Sequence, residues 1–517
     1  MKSNFIQQLL LKILIWKNKI YSNQKMSKII TRFPPEPNGY LHLGHLKAMM
    51  FDFNLHEGCE CILRLDDTNP ETEKQEYVDN IIKDVEWLGF KPCKITYTSD
   101  YFKDLYNFAI DLIKMNLAYV DFTPAKEMRE MRHAGIESEY RNKSVEFNLE
   151  EFNNMANRVY KEGEAVLRLK IDMKNNNHTL RDPIAYRIKY AHHYRVKDVY
   201  CIWPSYDYSH GIVDALEKIT HSYCTTEFMV RRDLYYWPVV KLGLVPATVV
   251  EFGRLNVEDN VLSKRKILDY IKTEKVSGFD DPRLLTITGL RRRGFTANIL
   301  KSIVSRVSME RHDTILTKSW IDHHLRSILD KEAPRCFAVI NPIKLIISDE
   351  NNIVECEHLN HPINDMGKHK TILSKNLYIE TSDFKEVDKK NYHGLAPNKT
   401  VRLRYAYFVK CVGFKESEIT VEKTMPENSK KIKGILHWVS EEDSVEAIFE
   451  LYDPLLKEGD YNKDSKIVRY GRVEKAVLEF SKDTTFQFER LGYFRIDRYE
   501  DEVPVFIRVI NLMDKFK

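Results

Sequence analysis

The spacing of apolar positions predicts a short strand that leads into a helix near the start of the chain. Residues 29–33 are mostly β-branched or aromatic, which is typical of a strand. Three prolines within residues 34–37 interrupt regular structure, and Asn38-Gly39 allows a sharp turn. From residue 42 onward, apolar residues recur at helical spacing. This order is typical of the phosphate-binding corner of a nucleotide-binding α/β fold, because free N–H groups at a helix start attract phosphate oxygens.

A buried strand and an amphipathic helix follow. Residues 62–65 are apolar apart from one arginine, and Asp66 stands at the C-terminal end of this predicted strand. The pattern from 71 to 88 predicts a helix with Thr68 or Asn69 as its N-cap. Ligands of open parallel sheets bind beyond the C-terminal strand ends, so a carboxylate there suits a substrate ammonium group. We therefore expect Asp66 to contact substrate.

The middle of the chain interrupts this pattern and predicts an inserted domain over residues 96–200. We expect the chain to rejoin the first sheet from residue 199. The insertion contains predicted helices at 100–115 and 150–162, strands near 165–171, and a polar turn at 175–177 that we expect to be disordered.

The remainder is first helical and basic, between residues 280 and 330, and then rich in β-structure. Short alternating runs separated by turns predict antiparallel β-barrels from residue 338 onward. The supporting strands are predicted at 401–410, 432–440, 447–453 and 486–494.

Two histidines carry the first candidate chemistry. His42 and His45 are three residues apart, which places both side chains on one face of a first helical turn. Gly44 between them leaves room for a ligand against the backbone. Two imidazoles in this position can donate hydrogen bonds to a phosphate as charge builds on it. The pattern H-x-G-H alone is equally typical of an ordinary polar helix face.

Longer sequence matches favour the phosphate-binding interpretation over an ordinary polar helix face. P-P-E-P-N-G-Y-L-H-L-G-H at 34–45 closely resembles the signature of class I aminoacyl-tRNA synthetases of the glutaminyl/glutamyl branch. V-L-S-K-R-K at 261–266 resembles the second signature of that family, with Leu262 replacing Met, an isosteric change. A basic loop there is otherwise typical of a solvated surface. Further matches are W-P-S-Y-D-Y-S-H at 203–210 and S-Y-C-T-T at 222–226.

The resemblance implies an α/β fold with a Rossmann-like class I catalytic domain and an inserted acceptor-end-binding domain. It also implies a helical stem-contact region and C-terminal antiparallel β-barrels that bind the anticodon. More than one core is needed for 517 residues. We expect an N-terminal extension at 1–25, the catalytic domain at 26–98 and 199–266, the insert at 99–198, the helical region at 267–334 and the barrels at 335–517.

The resemblance also implies an ATP site, with Mg²⁺ accompanying the nucleotide. Catalysis is assigned to His42, His45 and Lys264, which would stabilise the transferring phosphate. The implied ATP-binding residues are Glu36, Pro37, Asn38, His42, Leu43, Gly44, His45, Leu46, Lys47, Ala48, Thr225, Arg254, Leu255, Leu262, Ser263 and Lys264.

The amino-acid site is predicted to take L-glutamine. Asp66 would bind the α-amino group, while Tyr206 and His210 would bind the side-chain amide, since a hydroxyl both donates and accepts. Ordinary core aromatics at these two positions remain an alternative. Cys224 stands where the glutamyl branch typically carries an arginine, and a neutral thiol would leave a glutamate carboxylate unpaired and costly to bury.

A glutamine-specific tRNA is the implied macromolecular partner. Arg291, Arg292 and Arg293 suit RNA phosphates, although an exposed charged face remains an alternative. Arg335, Arg404, Gln487 and Arg490 match positions that contact anticodon bases in the family. Three departures weaken this match. Val249 replaces a Gln that is common in the amide-recognition network of the family, Val230 replaces an Asp that contacts the acceptor stem, and His393-Gly394 replaces a basic pair at the anticodon.

Composition changes this picture little. The net charge of +4 excludes a strongly basic arm but permits local basic patches. We interpret the eight scattered cysteines as reduced thiols, with a structural zinc at Cys59 and Cys61 as the alternative. Residues 1–25 are too short an apolar segment to span a bilayer, and are either a targeting leader or a dispensable extension before Met26.

The sequence therefore predicts a cytoplasmic, monomeric enzyme without membrane contact, or an organellar one if residues 1–25 are a genuine leader. It would ligate L-glutamine to tRNA through an aminoacyl-adenylate. Three further hypotheses stay open: a glutamyl-tRNA synthetase, including a non-discriminating form, a small-molecule adenylylating ligase, and an RNA-binding paralogue without activity.

Overall fold

The structure is a computed structural model that describes residues 28–54, 58–261, 263–307, 310–425 and 432–513. The chain divides into two compact units. The N-terminal unit comprises residues up to 256 together with 304–315, and the C-terminal unit comprises 257–303 and the residues from 316 onward. The predicted extension at 1–25 and the predicted ATP contact Leu262 lie outside the described residues.

A parallel sheet opens the N-terminal unit, as the strand predictions required. Its strands are β1 (Ile30–Phe33), β2 (Glu60–Leu65) and β3 (Lys94–Tyr97), in the order β1-β2-β3. The predicted first helix is α1 (Leu43–Asn54), whose apolar face is buried. Strand β2 is buried on both faces, which explains its nearly continuous apolar sequence.

The second helix begins later than its sequence pattern suggested. Helix α2 (Gln75–Trp87) has Lys74 as its N-cap residue, without a side-chain capping bond, so the predicted caps at Thr68 and Asn69 are wrong. The preceding residues instead form a turn, in which the Asn69 N–H donates to the Glu73 carboxylate at 2.8 Å. The Lys74 N–H donates to the Pro37 carbonyl at 3.1 Å, which ties this turn to the proline loop.

The insertion folds around its own antiparallel sheet, with strands in the order β4-β5-β6-β7. The prediction that the chain rejoins the first sheet at residue 199 is wrong, because β7 pairs antiparallel with β6. Alternation of apolar residues does not identify the partner strand. The elements are β4 (Ala118–Asp121), β5 (Val166–Leu169), β6 (Ile184–Ile188), β7 (Ile202–Pro204), α3 (Phe102–Lys114), α4 (Ala125–Ala134) and α5 (Val145–Ala156).

Two further details of the insertion differ from expectation. The helix predicted at 150–162 is α5, which starts earlier because the Ser144 side chain caps it by accepting from the Phe147 N–H. It ends before Arg158, whose φ of 63° is incompatible with a right-handed helix. The polar turn at 175–177 is ordered, since the Asn177 side chain accepts from the Thr179 N–H at 3.1 Å.

A second parallel pair completes the N-terminal unit. Strands β8 (His221–Thr225) and β9 (Thr248–Phe252) pair with Cys224 opposite Glu251. The Thr220 N–H donates to the Ile30 carbonyl at 2.9 Å, which places β8 beside β1. Helices α6 (Tyr206–Leu216) and α7 (Arg232–Lys241) flank these strands.

The C-terminal unit begins with helices, in agreement with the prediction for residues 280–330. They are α8 (Lys264–Lys272), α9 (Ile287–Arg293), α10 (Ala297–Val304, at the unit boundary) and α11 (Lys318–Glu332). Two short strands, β10 (Leu255–Val257) and β11 (Thr314–Leu316), stand where the chain passes from one unit to the other.

The predicted C-terminal β-structure is confirmed as two seven-stranded sheets with separate buried cores. Their orders are β12-β27-β28-β29-β23-β26-β13 and β21-β18-β19-β20-β14-β17-β22. Most pairs are antiparallel, but some, such as β14 with β20, are parallel. The strands are β12 (Arg335–Cys336), β13 (Ala338–Ile340), β14 (Pro342–Ile347), β15 (Val354–Leu359), β16 (Lys368–Leu373), β17 (Asn376–Glu380), β18 (Thr400–Leu403), β19 (Phe408–Lys415), β20 (Glu418–Thr424), β21 (Ile435–Leu436), β22 (Val439–Ser440), β23 (Ser444–Tyr452), β24 (Leu456–Lys457), β25 (Asp460–Tyr461), β26 (Lys466–Glu474), β27 (Thr485–Phe488), β28 (Gly492–Glu500) and β29 (Val503–Ile510).

Three predicted strands are each interrupted and form two strands. The segment 401–410 divides into β18 and β19, 432–440 into β21 and β22, and 486–494 into β27 and β28. In the first and last, a residue other than glycine adopts left-handed backbone, Tyr405 with φ of 60° and Arg490 with φ of 69°. No helix within the described ranges has the length and apolar content that a membrane span requires.

Candidate active site and RNA-contact residues

The two signature histidines lie side by side where α1 begins. Their ring centroids are 3.9 Å apart. The Gly44 N–H donates to Nδ1 of His42, and the His42 N–H donates to Nδ1 of His45, each at 3.1 Å. Because each Nδ1 accepts, each neutral ring carries its proton on Nε2. A Cβ atom at Gly44 would lie 2.9 Å from Cε1 of His42, so glycine is what permits this ring position.

Burial keeps both rings neutral. It lowers the pKa of His42 to about 4. Burial, followed by repulsion from His42, lowers the pKa of His45 well below its ordinary value. At neutral pH the pair therefore offers two Nε2–H donors without a formal charge, which suits a phosphoryl oxygen that gains charge during reaction.

The other residues of the first signature divide into a loop and the buried side of α1. Glu36 is exposed and accepts from Asn38 Nδ2 at 2.5 Å, while Pro37 is buried. Leu43 and Leu46 are buried core residues, and Ala48 packs against a cluster that contains Phe51.

Lys47 contributes to the fold. It is buried, and its Nζ donates to the Gly253 carbonyl at 2.5 Å, so its charge is already bound within the N-terminal unit. Burial lowers its pKa, and the nearby Asp313 opposes this effect.

The remaining predicted ATP contacts come from both units. Arg254 forms ion pairs with Asp313 at 3.2 Å and Glu227 at 3.1 Å, and Thr225 donates to Glu227 at 2.9 Å. Leu255 is buried. In the C-terminal unit, Ser263 is the N-cap residue of α8, and Lys264 is its first residue.

Three of the four residues predicted to bind the amino acid surround one pocket of the N-terminal unit. Tyr206, His210 and Cys224 line it together with Arg32, Phe228 and Val249. The pocket has about 430 Å³ of space free of protein atoms, including its open mouth. A neighbouring open pocket shares Tyr206 and Phe228 and includes Glu36, so the proline loop borders the same region.

A buried polar network supports this pocket. The Arg32 guanidinium donates to Asp214 at 3.1 Å, to the Tyr223 carbonyl at 3.1 Å, to Ser222 at 2.5 Å and to Nε2 of His210 at 2.8 Å. Since Nε2 of His210 accepts, its Nδ1 carries the proton and donates to Asp66 at 3.3 Å. His210 therefore positions Arg32 and Asp66.

Asp66 is buried, and both of its oxygens have protein partners. Thr98 donates to one at 2.9 Å and His210 to the other. Burial alone would raise the pKa of Asp66, but the His210 hydrogen bond and the charge of Arg64 outweigh burial and lower it. Asp66 is thus an ionised carboxylate that supplies negative potential at the C-terminal end of β2.

Tyr206 and Cys224 present neutral groups to the pocket. Tyr206 stacks on His210 with centroids 4.6 Å apart, and burial raises the pKa of its hydroxyl. Burial raises the pKa of the Cys224 thiol to about 11, so it is protonated at neutral pH. Neither group can neutralise a substrate carboxylate, whereas both tolerate an amide.

The sequence analysis missed Arg32, which makes four hydrogen bonds at the base of the pocket. The available signal was a charged residue within the apolar strand I-T-R-F. A buried charge requires paired partners, and these partners are far away in sequence. It also missed Asp214, Arg232 and Glu251.

The four predicted anticodon contacts lie close to one another in the C-terminal unit. Arg335 pairs with Gln487 across strands β12 and β27, and the Gln487 amide donates to Tyr493 at 2.8 Å. Arg404 pairs with Glu489 at 2.7 Å. Arg490 follows Glu489 in the same turn.

Carboxylates hold the arginines of this group. Asp330 accepts from Arg335 at 2.7 Å, and Asp383 accepts from both Nη atoms of Arg490 at 2.6 and 2.7 Å. These ion pairs fix the guanidinium planes of Arg335 and Arg490 within the protein.

Residues Arg291 to Arg293 contact the protein itself. Arg292 forms ion pairs with Asp497 at 2.8 Å and Asp280 at 3.1 Å, and Arg293 donates to the Val509 carbonyl at 3.2 Å. Arg291 also has protein partners. At least Arg292 and Arg293 thus help to fix α9 on the barrel sheet.

Of the sequence departures, Gly394 has a structural explanation, whereas nothing in the structure explains Val230. The Val230 carbonyl accepts from Asn177 at 2.7 Å and Thr179 at 3.1 Å, while its side chain is exposed. At Gly394, a Cβ atom would lie 2.5 Å from the Asp383 carbonyl, so the backbone leaves no room for a basic side chain.

The cysteines show no disulfide partner, since all eight are free thiols. Within the described ranges, no group of three or more His, Cys, Asp or Glu side chains is arranged to hold a metal ion. The zinc alternative at Cys59 and Cys61 therefore lacks a ligand set there.

Comparisons with known proteins agree with this geometry. The catalytic-domain model of class I tRNA synthetases (E and Q) matches residues 28–328, and two anticodon-binding-domain models of that family match 333–425 and 435–497. The chain belongs to the class I tRNA synthetases of the E and Q branch. Its fold is therefore a class I catalytic domain followed by anticodon-binding domains.

Several curated relatives are similar over nearly the whole chain. The cytoplasmic glutamine–tRNA ligase of Arabidopsis thaliana is 44% identical over 95% of this chain and 66% of its own length. The glutamine–tRNA ligases of Buchnera aphidicola and Vibrio cholerae are each 40% identical, over 100% and 99% of this chain and 98% of their own lengths. The chain thus spans about two thirds of the plant relative and nearly all of the bacterial ones.

Proposed function

We propose that this protein is a glutamine–tRNA ligase that forms glutaminyl-adenylate from ATP and L-glutamine and then charges tRNA. The observation that carries the proposal is a pocket beside the ionised Asp66 in which each lining arginine is already paired with a protein carboxylate. Tyr206 and the protonated Cys224 thiol suit a carboxamide, and neither supplies the cation that a glutamate side chain would need. The names of the relatives support the same substrate.

The chemistry requires positioning and charge stabilisation without a side-chain nucleophile. The substrate carboxylate attacks the α-phosphorus of ATP and pyrophosphate leaves, and the terminal ribose hydroxyl of tRNA then attacks the acyl carbon and displaces AMP. We assign the two Nε2–H groups of His42 and His45 to the α-phosphate, and Lys264 to the departing pyrophosphate. Mg²⁺ arrives with ATP as part of that substrate.

The predicted domains and tRNA contacts are part of this proposal. The insert at 99–198 would hold the acceptor end, the helical region at 267–334 the stem, and the barrels at 335–517 the anticodon. Arg335, Arg404, Gln487 and Arg490 would contact anticodon bases. We further propose a cytoplasmic monomer, or an organellar protein if residues 1–25 act as a leader.

The test is aminoacylation by the full chain with glutamine and with glutamate, using matched tRNAs that differ only in the anticodon. We expect charging with glutamine on the glutamine-anticodon tRNA. Charging with glutamate instead would make the chain a glutamyl enzyme. Pyrophosphate exchange on a small acid without RNA would make it a small-molecule adenylylating ligase. RNA binding without charging would make it an inactive RNA-binding paralogue.

A further inference from the structure

The pocket proposed to hold glutamine is lined by three arginines, and each of them is paired with a carboxylate. Arg32 donates to Asp214 at 3.1 Å. Arg231 donates to both oxygens of Asp207 at 2.7 and 2.8 Å. Arg232 donates from Nε to Glu251 at 2.7 Å, and its Nη2 contacts the same oxygen. The wall therefore contains cations whose charge is compensated within the protein.

These three pairs differ in how firmly they are held. Asp214 also accepts from Arg64 and Tyr235, so it is part of the buried support below the pocket. Arg231 and Asp207 are partly exposed, and solvent screens their interaction. Glu251 has a side chain that is 1% exposed, whereas that of Arg232 is 36% exposed. The carboxylate is thus the fixed member of this pair, and the guanidinium is the member with access to the pocket.

Glu251 also occupies a special position relative to Cys224. The two residues are opposite each other in the parallel pairing of β8 with β9. Cys224 is the residue that leaves this side of the pocket without a charge. Glu251 holds a pocket-lining guanidinium in a hydrogen-bonded pair beside it. The second oxygen of Glu251 is 3.5 Å from Nη2 of Arg311, which is an ion-pair distance but a long hydrogen bond.

We propose that Glu251 is a specificity-determining residue that excludes glutamate by binding the Arg232 guanidinium. While Arg232 donates to the Glu251 carboxylate, its charge is satisfied and it gains little from a substrate carboxylate. Without that charge, Arg232 can pair with the side chain of glutamate, and a charged hydrogen bond in a desolvated pocket is strong. This inference rests on the proposed function, since it assumes that the pocket holds the amino-acid side chain.

The experiment compares Glu251→Gln, Arg232→Gln and the double variant with the unaltered full chain. Aminoacylation is measured with glutamine and glutamate at saturating ATP and tRNA. For Glu251→Gln, which keeps the side-chain shape, we expect the glutamine-to-glutamate ratio of kcat/KM to fall by about ten- to a hundredfold, mainly through a lower KM for glutamate. In the double variant we expect the ratio to return toward that of the unaltered chain, because the released cation is gone.

A matched control is Glu60→Gln, which removes a half-buried carboxylate that pairs with Lys28 at 2.6 Å outside the pocket. We expect the glutamine-to-glutamate ratio of kcat/KM for this control to be unchanged.

A Glu251→Gln enzyme that loses activity equally for both amino acids, or a double variant as unselective as Glu251→Gln, would overturn the proposal. If Glu251→Gln does not fold, the same measurement on Arg232→Gln tests the proposal. We expect it to keep its preference for glutamine, and an increase in glutamate use would overturn the proposal. Failure of the unaltered chain to charge glutamine would instead reject the proposed function.

Discussion

The two imidazoles at the start of α1 are oriented by hydrogen bonds from their own backbone. Each Nδ1 accepts from a main-chain N–H, so neither ring can present Nδ1 to a ligand. Both Nε2–H groups are left as donors. This arrangement explains why the spacing H-x-G-H matters more than the presence of two histidines, since Gly44 supplies one of the N–H groups and the space for His42.

We predict that His42→Ala slows ATP–pyrophosphate exchange by about 10²–10³-fold, because it removes one donor to the reacting phosphate. The effect should fall on kcat more than on the KM for glutamine. Exchange measured with tRNA present checks this. His323→Ala, at an exposed position of α11, is the control and should exchange at the normal rate. An unchanged kcat in His42→Ala would contradict the proposed role.

The pH dependence of His42 follows from its buried position. Its pKa is lowered to about 4 in the folded protein, below its ordinary value of 6.5. The neutral ring therefore contributes to stability above about pH 6.5, and this contribution is lost as the pH falls through 4. We predict an NMR titration midpoint of His42 near 4, and no loss of activity from this residue between pH 6 and 8. A midpoint near 6.5 would show that the ring is solvated.

The sequence identified His42, His45 and Cys224 as candidates because each belongs to a quoted motif, and Asp66 because it follows a predicted strand. It could not assign Arg32 or Glu251, because their importance depends on partners that are far away in the chain. The Arg32 guanidinium binds Asp214 across 182 residues, which no local pattern records. The same limit applies to Lys47, whose partner is the carbonyl of Gly253.

At the scale of elements, apolar periodicity predicted most strands and helices but missed some turns between strands and the residue at which α2 begins. The alternation in 486–494 continues through the β27–β28 turn, because the turn residue Arg490 adopts left-handed backbone without the glycine that would signal it. The late start of α2 has a similar cause. The Asn69–Glu73 turn satisfies groups that the sequence assigned to a helix cap.

The loop after β9 provides a test of packing at this scale. A Cβ atom at Gly253 would overlap the His312 carbonyl within the N-terminal unit. The Gly253 N–H also donates to the Glu310 carbonyl at 2.8 Å, and its own carbonyl accepts from Lys47. A larger residue must therefore displace backbone that is bonded on both sides.

We predict that Gly253→Ala destabilises the protein by about 2 kcal/mol or more, as expected for overpacking against fixed atoms. Urea unfolding followed by fluorescence measures the change. Gly413→Ala is the matched control, because a Cβ atom at Gly413 meets nothing within 4 Å and its backbone is not left-handed. Equal stability of the two variants would mean that the His312 loop yields easily.

At the scale of the whole molecule, the sequence predicted the division into an α/β part and a β-rich part. Within the C-terminal unit, folding brings together residues from distant segments of the chain. Arg335 and Gln487 are brought together by the parallel β12–β27 pairing, which alternation alone does not specify. Likewise, the ladder that unites β7 with the insert could not be inferred, since an apolar strand fits either sheet.

This convergence gives the last prediction, on RNA recognition. Arg404 and Arg490 are held by Glu489 and Asp383, so their donors are already oriented, and less entropy is lost when a base binds. We predict that Arg490→Gln lowers kcat/KM for the glutamine-anticodon tRNA by about 10- to 100-fold. The KM values for ATP and glutamine should be unaffected, because the change acts on RNA binding. Aminoacylation with anticodon-swapped tRNAs should also show reduced discrimination between the two anticodons.

Arg469→Gln, on the exposed face of β26, is the matched control and should discriminate between the anticodons normally. If Arg490→Gln charges both tRNAs as the unaltered chain does, then the pair with Asp383 serves the barrel fold and the bases are recognised by other residues.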